Sequence, residues 1–358
     1  DTNDSPANNF SAVKIVTLPS AGTLTLNGGT INAGDLAPAT AGAAWVARES
    51  NRPWSAVASS ADGTKLVAVV ENGQIYTSSD SGATWMPRES NRSWTSVASS
   101  ADGARLIASA NLGGQIYTST DSGATWTPRL SNTQNWLGVA SSADGTVLVA
   151  VGNSVQIQVS TDSGATWTGR ENARVWRPVA ASADGAKLVV GNYSAGQIWT
   201  SADTGQTWFA RESVRDWRSL ASSADGTNLA AGAGAGQIWT STDSGVSWTR
   251  RAIDDNRNWQ AIASSADGTR LVAGDRGGRI HTSTDSGVTW MARETNREWT
   301  GVASSADGNK LVAVANGGQI YVSSPASIGL TFTPAANANG TPYTSFTFQL
   351  QDDGGTAN

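Results

Sequence analysis

The chain has 358 residues, a formal net charge of −5, one histidine and no cysteine. The charge argues against a general nucleic-acid binder, the missing cysteine removes disulfides, thiol nucleophiles and thiolate-held metals, and no apolar run is long enough to span a bilayer. Hydrophobic residues make up 39% and charged residues 15%, with 39 glycines and 16 tryptophans, a composition that fits a turn-rich all-β chain better than a helical or disordered one.

Residues 1–9 read as a linker, and a chain beginning at Asp1 reads as a processed product or an excised piece. The oxygen-bearing side chains of Asp1, Asn3 and Asp4 suit Ca²⁺, and a bare polar linker explains the same residues. Val13 to Gly28 predicts two strands around a Pro19-Ser20-Ala21-Gly22 turn.

A repeat begins at Trp45. The pattern W-x-x-[VIL]-A-[SA]-S-A-D-G opens at Trp54, Trp94, Trp136, Trp176, Trp217, Trp259 and Trp299, in steps of 40 to 42 residues. A period near ~40 with several short strands per unit signals a propeller. In the first unit, Trp54–Ser59 is the expected inner strand, followed by strands at Lys65–Val70, Gln74–Ser78 and Trp85–Arg88. The last two are joined by Ser78-Ser79-Asp80-Ser81-Gly82-Ala83-Thr84-Trp85, which returns around Asp121, Asp162, Asp203, Asp243 and Asp285. An Asp can accept bonds from its own loop, and Gly takes a positive φ without steric cost.

Seven inner strands predict seven blades. The seventh unit lacks its turn, and Ala44 to Arg48 matches the missing outer strand, so residues 44–48 should pair with residues 319–323 and close the ring. After it, Leu330 to Gly340 leads into Ser345 to Asp352, which alternates apolar and polar residues as a half-buried strand should.

The S-x-D-x-G-x-T-W segments resemble the Asp-box, or BNR repeat, of sialidase- and sortilin-like β-propellers. That resemblance implies a structural role for the aspartates, away from any active site. The flanks, 10–40 and 326–358, resemble the two halves of a bacterial cadherin-like (Ig-like) tandem domain, with L-P-x-x-G-x-L-x-L-N-G in the first half and F-x-[FY]-x-x-x-D in the second. The expected fold is therefore all-β: a seven-bladed propeller over 41–325 inserted in a split β-sandwich. The first residues are similar to the D-x-N-D-x-P linker that binds Ca²⁺ between such tandem domains. The resemblance implies a secreted or cell-surface protein of bacterial type.

His281 fills a slot held elsewhere by Tyr76, Tyr117, Gln158, Trp199, Trp239 and Tyr321, so it reads as one bulky residue in a ring. Arg and Glu fall almost wholly at repeat-equivalent places, and no blade shows a unique cluster of the kind a sialidase-type hydrolase needs. No catalytic residue and no required cofactor are expected. The outer-to-inner loops are the candidate binding sites: Arg48, Glu49 and Asn51 before Trp54; Arg88, Glu89 and Asn91 before Trp94; Arg293, Glu294 and Asn296 before Trp299. Polar groups beside an indole can hold a sugar; alternatively Arg and Glu pair within the loops and the Trp is core. The expected function is a non-enzymatic module for adhesion or assembly, with a glycan or a surface protein as partner. A multivalent lectin is the alternative and a hydrolase the third reading. Donation of the Asn9 to Thr17 strand to a neighbouring copy would make a homo-polymer.

Overall fold

The computed structural model describes residues 10–19, 23–26, 29–30, 36–38, 41–130, 134–193, 196–251, 257–323, 330–333 and 348–352. Asp1, Asn3 and Asp4, and with them the proposed Ca²⁺ site, lie outside these residues. Every regular element described is a strand. The chain divides into two compact units, residues 44–324 and the flanking 1–43 with 325–358.

In the flanking unit, Phe10–Ile15 pairs antiparallel with both Phe348–Asp352 and Leu36–Pro38. Thr23–Leu26 pairs with Gly29–Thr30 and with Leu330–Thr333. Strands from before and after the repeat thus share sheets, in register from Thr23 opposite Thr333 to Leu26 opposite Leu330. These pairings establish two three-stranded sheets and do not by themselves establish a cadherin-like sandwich.

The repeat region is a β-propeller built of antiparallel sheets. Each unit opens with a six-residue strand such as Trp94–Ser99, then Leu106–Ala110, Ile116–Ser119 and the short Thr127–Pro128. The second strand is buried throughout, as Leu, Ile and Ala in a sheet covered on both faces must be. The inner strands touch one another in a closed cycle.

The sheets number six, which corrects the expected seven blades: five have four strands and one has six. The reason lies in two long strands. Leu311–Ser323 and Val46–Ser59 run unbroken across places where other units turn, so the units opening at Trp299 and Trp54 share one sheet. In five other units the corresponding contact is a single isolated bridge, as between Gly73 and Arg92 or Gly114 and Gln134, and in the sixth it is the Val155–Arg174 pair at the end of Thr168–Arg174; none of these fuses neighbours. The fused sheet is also where the chain closes on itself. Val46 pairs with Val322, Ala47 with Tyr321 and Arg48 with Ile320, the segments expected to meet.

A second closure runs through the A-D-G turns. The Ala61 N–H donates to the Ala101 carbonyl, Ala101 to Ala143, Ala143 to Ala183, Ala183 to Ala224, Ala224 to Ala266, Ala266 to Ala306, and Ala306 back to Ala61, every bond 2.7 Å.

Candidate functional site

The conserved-looking turns are self-contained. Asp80 accepts from the Thr84 N–H (2.9 Å) and hydroxyl (2.6 Å) and from the Ser78 hydroxyl (2.8 Å). Ser78 Oγ in turn accepts from the Gly82 N–H, and Trp85 Nε1 donates to the Gly82 carbonyl. Gly82 sits at φ +83°, and a Cβ there would meet Val322 at 2.6 Å. These bonds, led by the Thr84 hydroxyl, pull the Asp80 carboxyl down to about 2. Asp121, Asp162, Asp203 and Asp243 are likewise pulled to about 2 by the hydroxyl and N–H of the residue four places on. At Asp285, burial opposes the shift and the same bonds outweigh it, so its value is also lowered. A carboxylate so engaged has its oxygens committed to the turn. Among the described residues, no group of three or more His, Asp or Glu side chains is placed to hold a metal.

The outer-to-inner loops bring Arg, Glu and aromatic side chains together, in an arrangement different from the one expected. Trp54, Trp94 and Trp299 are fully buried, so no indole face is open to a sugar; this corrects the stacking role expected for them. Each instead meets the edge of an aromatic ring from the third strand: Trp54 with Tyr76, Trp94 with Tyr117 and Trp299 with Tyr321, at 5.1 to 5.2 Å. The second arginine of each loop covers that ring. Arg52 lies 4.8 Å from Tyr76, Arg92 4.7 Å from Tyr117 and Arg297 4.5 Å from Tyr321. The same arginines pair with Glu49, Glu89 and Glu294 at 3.4 to 3.5 Å.

Burial pushes the Glu49 carboxyl up, but bonds from Ser50 and the Arg52 guanidinium outweigh it and hold the group below its ordinary value. Glu49 and Glu294 lie at φ +54° and +43°, a strained region for a non-glycine residue. The first arginines do something else. Arg88 and Arg293 Nε donate to Thr77 and Thr282 across the sheet, while Arg48 Nε has no acceptor. Asn51, Asn91 and Asn296 are exposed. The loops are therefore internally paired, which is the bland alternative of the two sequence readings.

His281 behaves as its slot implies. It is buried and meets the edge of Trp259 at 5.2 Å.

The repeat is broken at one place, by residues from three consecutive units. The residue following each inner Trp lines the central channel, a cavity of about 210 Å³. On one side these residues are Ser55, Thr95, Leu137 and Thr300. The Ser55, Thr95 and Thr300 hydroxyls donate to the carbonyls of Trp94, Trp136 and Trp54, tying each unit to the next. On the other side, three consecutive units place Arg177, Arg218 and Gln260.

The Arg177 and Arg218 guanidiniums lie 5.2 and 4.8 Å from the Tyr193 ring. Arg218 is held by Asp216 at 2.6 Å. Burial lowers the Arg177 pKa and the Arg218 charge adds to that, while Tyr193 opposes it; an arginine so shifted still carries its charge at neutral pH. Gln260 is buried, and its Oε1 has no hydrogen-bond partner. The signal was present in the sequence as a break in the repeat: Arg, Arg and Gln where other units have Ser, Thr or Leu, and Tyr193 where others have Glu71, Asn111 or Asn153.

No protein-family model and no curated protein matches the chain. Solved structures do. YCF48 from Cyanidioschyzon merolae superposes with a TM-score of 0.64 at 15% identity, covering 79% of this chain and 99% of that one. YCF48 bound to D1 peptide gives 0.62 at 16%, covering 79% and 97%. A GH74 xyloglucanase from Xanthomonas campestris gives 0.62 at 17% over 86% of this chain, which spans 56% of that enzyme's length. At such identities the likeness establishes one thing about this chain, that its repeat region is a β-propeller.

Proposed function

We propose that the chain is a non-enzymatic recognition module of an extracellular bacterial surface protein, serving adhesion or assembly, and that its propeller grips a protein partner at the channel mouth. In this reading the six-stranded sheet is two blades joined by their long strands, giving seven repeat units of which six carry an Asp-box, and the flanks belong to a cadherin-like host. The observation that carries the proposal is the one-sided channel wall. Two guanidiniums that cover Tyr193 share the channel wall with a buried amide oxygen without a partner, whereas the Ser55, Thr95 and Thr300 hydroxyls are bonded to neighbouring units. A buried polar atom left unpaired is costly, and a partner's N–H would satisfy it. A similar propeller is known in complex with a peptide, which supports a peptide as the occupant.

The guanidiniums favour acidic segments, since charge-assisted bonds to carboxylates are the strong ones. The test is selection from a displayed random-peptide library on the full chain and on the Arg177→Ser/Arg218→Thr variant, which carries the residues other units use. Acidic peptides should be enriched on the parent and bind the variant about ten- to hundredfold more weakly. No enrichment, or enrichment indifferent to the two substitutions, would sink the reading.

A further inference from the structure

The unit opening at Trp217 differs from its neighbours on the loop side. Six units place a large polar residue at one hairpin position: Glu71, Asn111, Asn153, Tyr193, Arg276 and Asn316. The equivalence is structural, because each donates its N–H to the residue just before the inner Trp, as Gly234 does to Asp216 at 2.8 Å. At Gly234 the paired Arg218 and Asp216 side chains take that place, their Nε and Oδ2 standing 2.7 Å from where a Cβ would be. The hairpin continues as Ala235-Gly236, and a cavity of about 450 Å³ opens there.

Further side chains line the same hollow. Arg250 is exposed where the other outer strands carry Ala47, Pro87, Pro128, Gly169, Ala210 or Ala292. Trp239 stands where three units have tyrosine and one, at Trp199, also has tryptophan, and the Arg215 guanidinium lies 4.3 Å from its ring centre, with the Glu212 carboxylate 3.9 Å away. Asp216 faces the hollow with its charge balanced by Arg218.

We propose that this hollow binds an acidic sugar, a uronic acid residue of a polysaccharide. The Arg215 and Arg250 guanidiniums would take the carboxylate. Arg215 is already held between Trp239 and Glu212, so little freedom is lost when it binds. The Asp216 carboxylate would accept from sugar hydroxyls. An acceptor beside two cations suits a ligand that carries hydroxyl donors as well as an anion, and it disfavours a purely acidic peptide. The volume is within the range of small-molecule sites. This site adjoins the channel wall through the Arg218–Asp216 pair, but the cations that would meet its ligand, Arg215 and Arg250, are not those of the channel.

Calorimetric titration of the full chain with a galacturonate trisaccharide tests the assignment, with galactotriose and triglutamate as comparisons. The uronide should bind, the neutral sugar should bind at least about tenfold more weakly, and any triglutamate heat, which belongs to the channel, should be unchanged by Arg250→Ala. Gly234→Asn restores the residue three other units carry, and its added Cβ would displace the paired Arg218 Nε and Asp216 Oδ2, each 2.7 Å away. That variant and Arg250→Ala, the residue of three other units, should each weaken binding by about tenfold or more. Arg250 is on the surface, so its variant keeps the test decisive should Gly234→Asn misfold. No heat with the uronide, equal binding of galactotriose, triglutamate binding that Arg250→Ala weakens as much as uronide binding, or uronide binding unchanged by Arg250→Ala would each overturn the assignment.

Discussion

Replacing an inner tryptophan with phenylalanine should cost different amounts in different units, and the structure says which. Trp94 is fully buried and its Nε1 has no acceptor. Phenylalanine there loses apolar contact worth about 1–2 kcal/mol. It also removes a buried donor whose unmet hydrogen bond costs about 1–3 kcal/mol, so Trp94→Phe should be close to neutral. Trp259 is equally buried, but its Nε1 donates to the Gly236 carbonyl of the preceding unit at 3.2 Å. Trp259→Phe loses the same contact, deletes that bond and strands the carbonyl, adding about 1 kcal/mol or more. Urea unfolding followed by fluorescence should therefore give a clearly lower midpoint for Trp259→Phe than for Trp94→Phe, at similar slopes. Trp94→Ala serves as the scale, at about 3–5 kcal/mol. Equal midpoints for the two phenylalanine variants, or a lower one for Trp94→Phe, would refute the reasoning.

Two further outcomes follow from the turns and the closing strand. Asp80, Asp121 and Asp243 of the Ser78-type turns, and Asp144 and Asp225 of the A-D-G turns, which accept from the Ser142 and Ser223 hydroxyls, sit at about 2 in the fold against an ordinary 3.8. Their stabilisation is therefore complete above the ordinary value and drains away as pH falls from there to about 2; a melting temperature that stays flat down to pH 2 would contradict the role given to these carboxylates. Removing residues 1–48 should expose the edge at Gln319 to Ser323 and cause aggregation, whereas removing only 1–43 leaves the closing pairs of Val46, Ala47 and Arg48 in place. Light scattering should separate the two truncations, and identical monomers would dismiss the closure as a stabilising feature.

The sequence was most informative where interactions are local. The Asp80 turn involves residues at most four apart, so its letters contain all of its partners. The closing pair of 44–48 and 319–323 was also legible, because a missing strand at one end and a spare at the other leave one solution. The fusion of two units into one sheet was not. It depends on Asn316 and Gly318 pairing with Pro53 and Arg52, across most of the chain, where five other units manage a lone bridge. The indoles misled for a related reason. A Trp beside Arg, Glu and Asn looks accessible in sequence, but Tyr76 and Arg52 arrive from different strands to cover Trp54. The Arg177, Arg218 and Tyr193 cluster was hidden by averaging, since a search for what the units share passes over the positions where they differ.

The cycle of bonds through Ala61, Ala101, Ala143, Ala183, Ala224, Ala266 and Ala306 bears on how such a chain can change over time. A linear stack of repeats grows by one unit at a time and protects its two ends with special caps. A cycle has no ends and no place for a cap. Gaining or losing a unit would alter the circumference and bend every link at once, so the number of repeats can shift only by a whole step that resets all the angles together. The order in which the chain visits its repeats is under no such restraint, because each link is made between neighbours whatever the position of the termini. Repeat number is therefore locked in this molecule, while the point at which the chain enters and leaves the circle is free to move.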